Sequence, residues 1–107
     1  MKNFASLNEI QESIKSGSVS CLSLVNYYLE RIDRHKNLNI YIEVFAEEAL
    51  VRAKNVDKKI LAGTAGKLAG MVVALKDNIC FKGHNVSAAS KILEGFESLY
   101  SATVVER

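Results

Sequence analysis

The residues best equipped for chemistry in this 107-residue chain stand together: Lys76, Asp77 and Asn78. They follow Met71-Val72-Val73-Ala74-Leu75, an uncharged run rich in β-branched residues that reads as a short buried strand. A lysine at the end of such a strand sits at the edge of a core. There the fold can strip water from the ammonium, lower its pKa from the ordinary value of about 10.4, and let it accept a proton at neutral pH. Lys76 is therefore a candidate general base. On an ordinary surface it would instead pair with Asp77 or keep its charge in water from the strand end. Asp77 and Asn78 could orient the lysine or the loop behind it. Asp and Asn also begin turns by bonding their own backbone, so these two at most support Lys76.

Cys80 and His84, four residues apart, are the rival pair, because a cysteine nucleophile with a histidine base is a working arrangement. Such partners usually meet across a fold rather than along one segment, and two ligands are too few for zinc. A half-buried cysteine and a loop histidine is the plainer reading. Gly63-Thr64-Ala65-Gly66 lacks the Gly-Lys-Ser/Thr ending of a phosphate loop.

Leu68-Ala69-Gly70 through Lys76-Asp77-Asn78, then Lys82-Gly83-His84 and Ala89-Ser90-Lys91-Ile92-Leu93, resembles the amidase signature family. The close, Ser101-Ala102-Thr103-Val104-Val105-Glu106-Arg107, and the opening, Gly17-Ser18-Val19-Ser20 with Tyr28-Leu29-Glu30-Arg31-Ile32, resemble it too. The likeness leans toward the family's amidotransferase branch on Lys91-Ile92-Leu93-Glu94 and Ala102-Thr103-Val104-Val105-Glu106-Arg107. Where the family usually carries a proline two residues after the glycine, this chain has Val72, which suits a strand equally well.

The resemblance implies an α/β fold in which peripheral helices cover a mixed central sheet. Residues 1–36 would be peripheral helices and residues 40–107 the start of the catalytic core, all within one amidase domain. It implies a Ser–cisSer–Lys mechanism with Lys76 as the base. The nucleophilic and bridging serines of the family lie in a glycine- and serine-rich segment that this sequence does not contain, so Ser87, Ser90, Ser98 and Ser101 are not nucleophiles by this likeness. The fragment alone is then expected to be inactive, without the base's partners or the oxyanion donors. In the amidotransferase branch the A subunit hydrolyses glutamine and supplies ammonia for converting Glu-tRNA(Gln) to Gln-tRNA(Gln). The resemblance implies the amidotransferase B and C subunits as partners. The B subunit uses ATP and Mg2+ to activate the glutamate, the small C subunit holds the other two together, and this chain itself holds no cofactor or metal. A fragment of a stand-alone amidase acting on another amide is the near alternative.

The elements that must position these residues follow in chain order. Ser6-Leu7-Asn8-Glu9 is a capping box that opens a helix with Leu7, Ile10 and Ile14 on one face, closed by Gly17. Ser20 caps a second helix with Leu22, Val25, Leu29 and Ile32 in a stripe widened by Tyr28, ending near Arg34-His35-Lys36. After a turn at Asn37-Leu38-Asn39, Ile40–Phe45 alternates like a strand. A third helix over about Ala46–Ala62 buries Ala49, Leu50, Ala53, Val56 and Ile60, while Lys54, Asp57, Lys58 and Lys59 form a solvated face. Residues 77–90 are irregular, as functional loops are, and Ser90–Leu93 forms a helical turn. Ser101 caps a last helix with no stop signal, so the chain reads as truncated.

The composition is globular, 49% hydrophobic and 24% charged, with a net charge of +2 and no basic run or stacking platform for nucleic acid. No uncharged stretch approaches the ~18 residues of a membrane span, and no signal-peptide pattern opens the chain. Two isolated cysteines, Cys21 and Cys80, point to a reducing cytoplasm. A different class of function stays open: a small helical interaction module without chemistry. Such a module should bury Met71–Leu75 under its own helices, whereas a piece of a larger enzyme should leave that run exposed as an apolar patch.

Overall fold

A computed structural model of the chain describes Met1 and residues 3–107. They form two compact units, Met1–Val72 and Val73–Arg107.

The first unit holds three helices, α1 (Leu7–Lys15), α2 (Cys21–Arg34) and α3 (Ala46–Leu61). Local caps start α1 and α2 and close α1 and α3. The Ser6 hydroxyl accepts the Glu9 N–H at 3.2 Å, and the Glu9 carboxylate accepts from the N–H of Ala5, one residue before the cap. At the end of α1, Gly17 N–H bonds the Ile14 carbonyl and Ser18 N–H the Ser13 carbonyl, both at 3.0 Å, the paired closure of a Schellman motif. The same pairing ends α3 at Gly63 and Thr64. Ser20 and Ser23 cap α2 reciprocally, each hydroxyl accepting the other's N–H. Arg31 and Arg34 occupy the last turn of α2, where positive charge suits the helix dipole.

The core lies between α2 and α3. Cys21, Val25 and Ala53 are buried, with Ile14, Leu22, Leu29, Ala49, Leu50, Val56 and Ile60 packed around them. All five residues expected from the third helix's periodicity are in this cluster. Small Ala49 and Ala53 let the two helices approach closely, and the branched residues fill the flanks.

Asp57 departs from the solvated face expected of it. Its carboxylate accepts the N–H groups of Cys21 at 2.8 Å and Leu22 at 3.1 Å. Two of the four N–H groups that a helix start leaves unpaired are thus satisfied by α3, and Ser20 takes a third. A negative charge there also complements the positive end of the α2 dipole. Burial first, and then the neighbouring Asp57, push the Cys21 thiol up to about 11.

A strap after α3 returns over α1. The Gln11 side-chain amide donates to the carbonyls of Lys67 (2.8 Å) and Ala69 (3.1 Å). Gly70, at φ +91°, passes so close that a β-carbon there would stand 2.9 Å from Ile14 Cδ1 and 3.0 Å from Ile10 Cγ2. Only glycine meets both conditions without strain.

Two expected strands do not form. Among the described residues there is no strand, only an isolated antiparallel bridge between Asn85 and Glu97. Ile40–Phe45 and Met71–Leu75 carry strand-like sequence, but a strand is completed by pairing with another backbone, and neither run is paired. Ile42 is 84% exposed as a result. No helix among the described residues is long and apolar enough to cross a membrane.

The second unit is mostly loop. Around the bridge, Gly83 N–H bonds the Ser98 carbonyl, Ser98 N–H the His84 carbonyl and Val86 N–H the Phe96 carbonyl. These bonds bury Val86 and Ser98. A 3-10 turn at Lys91–Leu93 matches the expected helical turn, and a short α4 (Thr103–Glu106) follows. Ser101 does not cap α4; Ala102 holds that position, and the Ser101 hydroxyl accepts the Lys82 N–H at 3.0 Å.

Candidate functional site

Lys76 ends the extended run and opens a tight turn, its carbonyl accepting the Ile79 N–H at 2.9 Å. The lysine is exposed. The dry strand end expected of it is not built by the described residues, because the run before it is not buried. Met71, Val72 and Val73 are 53%, 45% and 60% exposed.

Asp77 is half-buried and does not pair with its neighbour lysine. Its carboxylate accepts the Ser87 hydroxyl on one oxygen and the Ser87 N–H, at 3.4 Å, on the other. Its carbonyl accepts the Ala88 N–H at 3.0 Å. Asp77 thus reaches ten residues along the chain, not to its own backbone as a turn-former would. Asn78 is exposed on the turn.

The loop closed in this way carries backbone strain. Ala88 and Ala89 sit at φ +48° and +59°. The left-handed region costs a residue with a β-carbon roughly 1–2 kcal/mol, and two such residues in succession persist only where the surroundings determine them.

Cys80 and His84 are not brought together as a nucleophile and base. The His84 ring stacks on Phe81 with centroids 4.4 Å apart. Cys80 is a half-buried free thiol, and its influence raises the Tyr100 phenol above its usual pKa. Three serines are occupied structurally. Ser98 is buried and donates to the Tyr100 carbonyl at 2.7 Å, Ser101 holds Lys82, and Ser87 holds Asp77. Among the described residues, no three His, Cys, Asp or Glu side chains converge as metal ligands.

Sequence reasoning missed Asp57 and Ser87. Asp57 had a visible signal, since Ala53, Asp57 and Ile60 recur at the spacing of one helix face. Ser87 had none, because its partner lies ten residues away across an irregular loop.

Residues 23–107 match the family model described as Amidase. The chain is 46% identical over 106 residues to the glutamyl-tRNA(Gln) amidotransferase A subunit of Chlorobium phaeobacteroides, covering 98% of this chain and 22% of that protein. Over 104 residues it is 48% identical to the protein of the same name from Chlorobium chlorochromatii and 47% identical to that from Chlorobium limicola, in each case 96% of this chain and 22% of the relative. The chain spans about a fifth of the length of the curated relatives it matches.

Proposed function

The chain belongs to the amidase family, and from that premise we propose that it is the N-terminal section of an amidotransferase A subunit. The full-length protein would hydrolyse glutamine and supply the ammonia that converts Glu-tRNA(Gln) to Gln-tRNA(Gln). The observation that carries this reading is 46–48% identity to such proteins along 96–98% of the chain.

In this reading residues 1–36 are peripheral helices, residues 40–107 begin the catalytic core, and Met71–Leu75 enters a mixed central sheet whose other strands come from the rest of the full-length protein. The exposed Met71, Val72 and Val73 support it, because an apolar run of this kind needs a partner. A self-contained helical module would have covered that run, so the exposure weighs against the non-catalytic alternative.

Lys76 is the base. Through a bridging serine on a cis peptide it takes the proton of a nucleophilic serine, whose oxygen attacks the amide carbonyl of glutamine. Ammonia leaves, an acyl-enzyme forms, and water then releases glutamate. Both serines and the cover that dries Lys76 are supplied by the rest of the full-length protein, so these 107 residues alone do not hydrolyse amides. ATP and Mg2+ act at the B subunit, and the C subunit joins the complex. The setting is the cytoplasm.

The test joins this chain to the remaining four-fifths or so of the Chlorobium phaeobacteroides protein. Lys76→Ala is expected to lower ammonia release from glutamine by about 10⁴-fold, the scale of losing one member of a triad. Turnover near that of the unmutated protein would remove Lys76 from the mechanism.

A further inference from the structure

The bonds that end on Asp77 have a use that its charge alone does not explain. Both carboxylate oxygens are directed to Ser87, so the aspartate is not the counter-ion of Lys76. Its carbonyl is engaged as well, by Ala88. Three bonds therefore converge on the residue whose peptide continues directly from Lys76. The Lys76 carbonyl is itself held by Ile79, so the backbone is tied on the C-terminal side of the lysine at two successive residues. The same bonds end at Ser87 and Ala88, where the left-handed pair Ala88–Ala89 begins. From there the chain is tied onward, with Ser90 N–H on the Ser87 carbonyl at 2.8 Å and Leu93 N–H on the Ser90 carbonyl at 3.1 Å. A strained turn is thus fastened to the lysine's own backbone.

We infer that Ser87 and Asp77 form a positioning pair for Lys76. The hydroxyl-to-carboxylate clip closes residues 77–88 behind the lysine and fixes the point from which its long side chain reaches. Lysine has a flexible four-carbon stem, so the place of its nitrogen depends on a fixed root. A displacement of about 1 Å at a reacting group costs on the order of 10²-fold in rate. Neither residue touches substrate; both act through Lys76. The inference rests on the reading of Lys76 as the base.

The experiment compares two branched replacements in the joined full-length protein. Ser87→Thr keeps the hydroxyl; Ser87→Val keeps the bulk and removes it. Ser87→Val is expected to lower kcat for ammonia release by about 10- to 100-fold with KM changed less than about twofold, and Ser87→Thr to stay within about threefold of the parent. Equal kcat for the two variants overturns the inference, and so does a loss confined to KM. Lys76→Ala is run beside them. If it is inactive while Ser87→Val is normal, the base stands and the clip falls; if it is active, the base assignment falls and the clip with it. A second readout needs no catalysis. In the joined full-length protein, Ser87→Ala is expected to speed hydrogen exchange at the Ala88 amide by about tenfold or more. Unchanged exchange there also overturns the inference.

Discussion

Replacing Asp57 with alanine tests whether α2 is held by a carboxylate from α3. The two bonds removed, at 2.8 and 3.1 Å, go to Cys21 and Leu22 N–H groups at the positive end of a helix. Hydrogen bonds to a charged group contribute about 1.5–3 kcal/mol each when dry. Asp57 is only half-buried, so water can replace part of that. The Ser20 cap on Ser23 remains in the variant. Together these place the loss at about 2–4 kcal/mol, with the helix-dipole contribution included. Asp57→Asn keeps one acceptor and the shape while removing the charge, and should lose roughly half as much. The assay is urea unfolding of the 107-residue chain, followed by helical circular dichroism, which reports α1 to α3. A drop of 1 kcal/mol moves the midpoint temperature of a unit this size by about 4–8 °C, so in a thermal melt Asp57→Ala should unfold at least about 8 °C lower. Lys54→Ala, on the exposed face of the same helix, is the control and should stay within about 0.5 kcal/mol. If Asp57→Ala matched that control, the carboxylate would be an ornament of the surface and the account of helix docking would fail.

The raised Cys21 thiol makes stability fall in alkali. Its folded value of about 11 lies above the ordinary 9.0, so the folded state keeps a proton that the unfolded chain has lost. The contribution is complete below pH 9, declines between pH 9 and pH 11, and amounts to about 2–3 kcal/mol. Cys21→Ser should flatten that decline in a pH series of unfolding curves; an unchanged slope would assign it to other groups. Gly70→Ala should destabilise the first unit by about 1–3 kcal/mol, because a β-carbon meets Ile10 and Ile14 and the backbone is at φ +91°. Wild-type stability in thermal melts would show that the strap moves away at little cost.

The helices were legible because their causes are local. The stripe Ala49, Leu50, Ala53, Val56, Ile60 follows the helical period of about 3.6, and the caps at Ser6 and Ser20 bond N–H groups within three residues. The strands were not, although Ile40–Phe45 and Met71–Leu75 have the right residue types. Strand-like sequence states a readiness to pair, and pairing requires a second backbone beside it. The site divides the same way. Lys76 stood out through its neighbours in sequence and the family motif around it; the helical spacing shows the face Asp57 shares but not its partner, and Ser87 matters through a contact that no short pattern encodes.

By itself the sequence determined where α1 and α2 start, which faces are apolar, and that a family-like lysine motif follows an apolar run. Those properties depend on residues within about one or two helical turns of each other. Tertiary structure alone decided that Asp57 caps the start of another helix, that Gly70 slides against Ile10 and Ile14, and that Asp77 turns to Ser87 instead of Lys76. Each of those is a contact between separated parts of the chain, and polar groups settle on whichever unpaired donor the packing brings within reach.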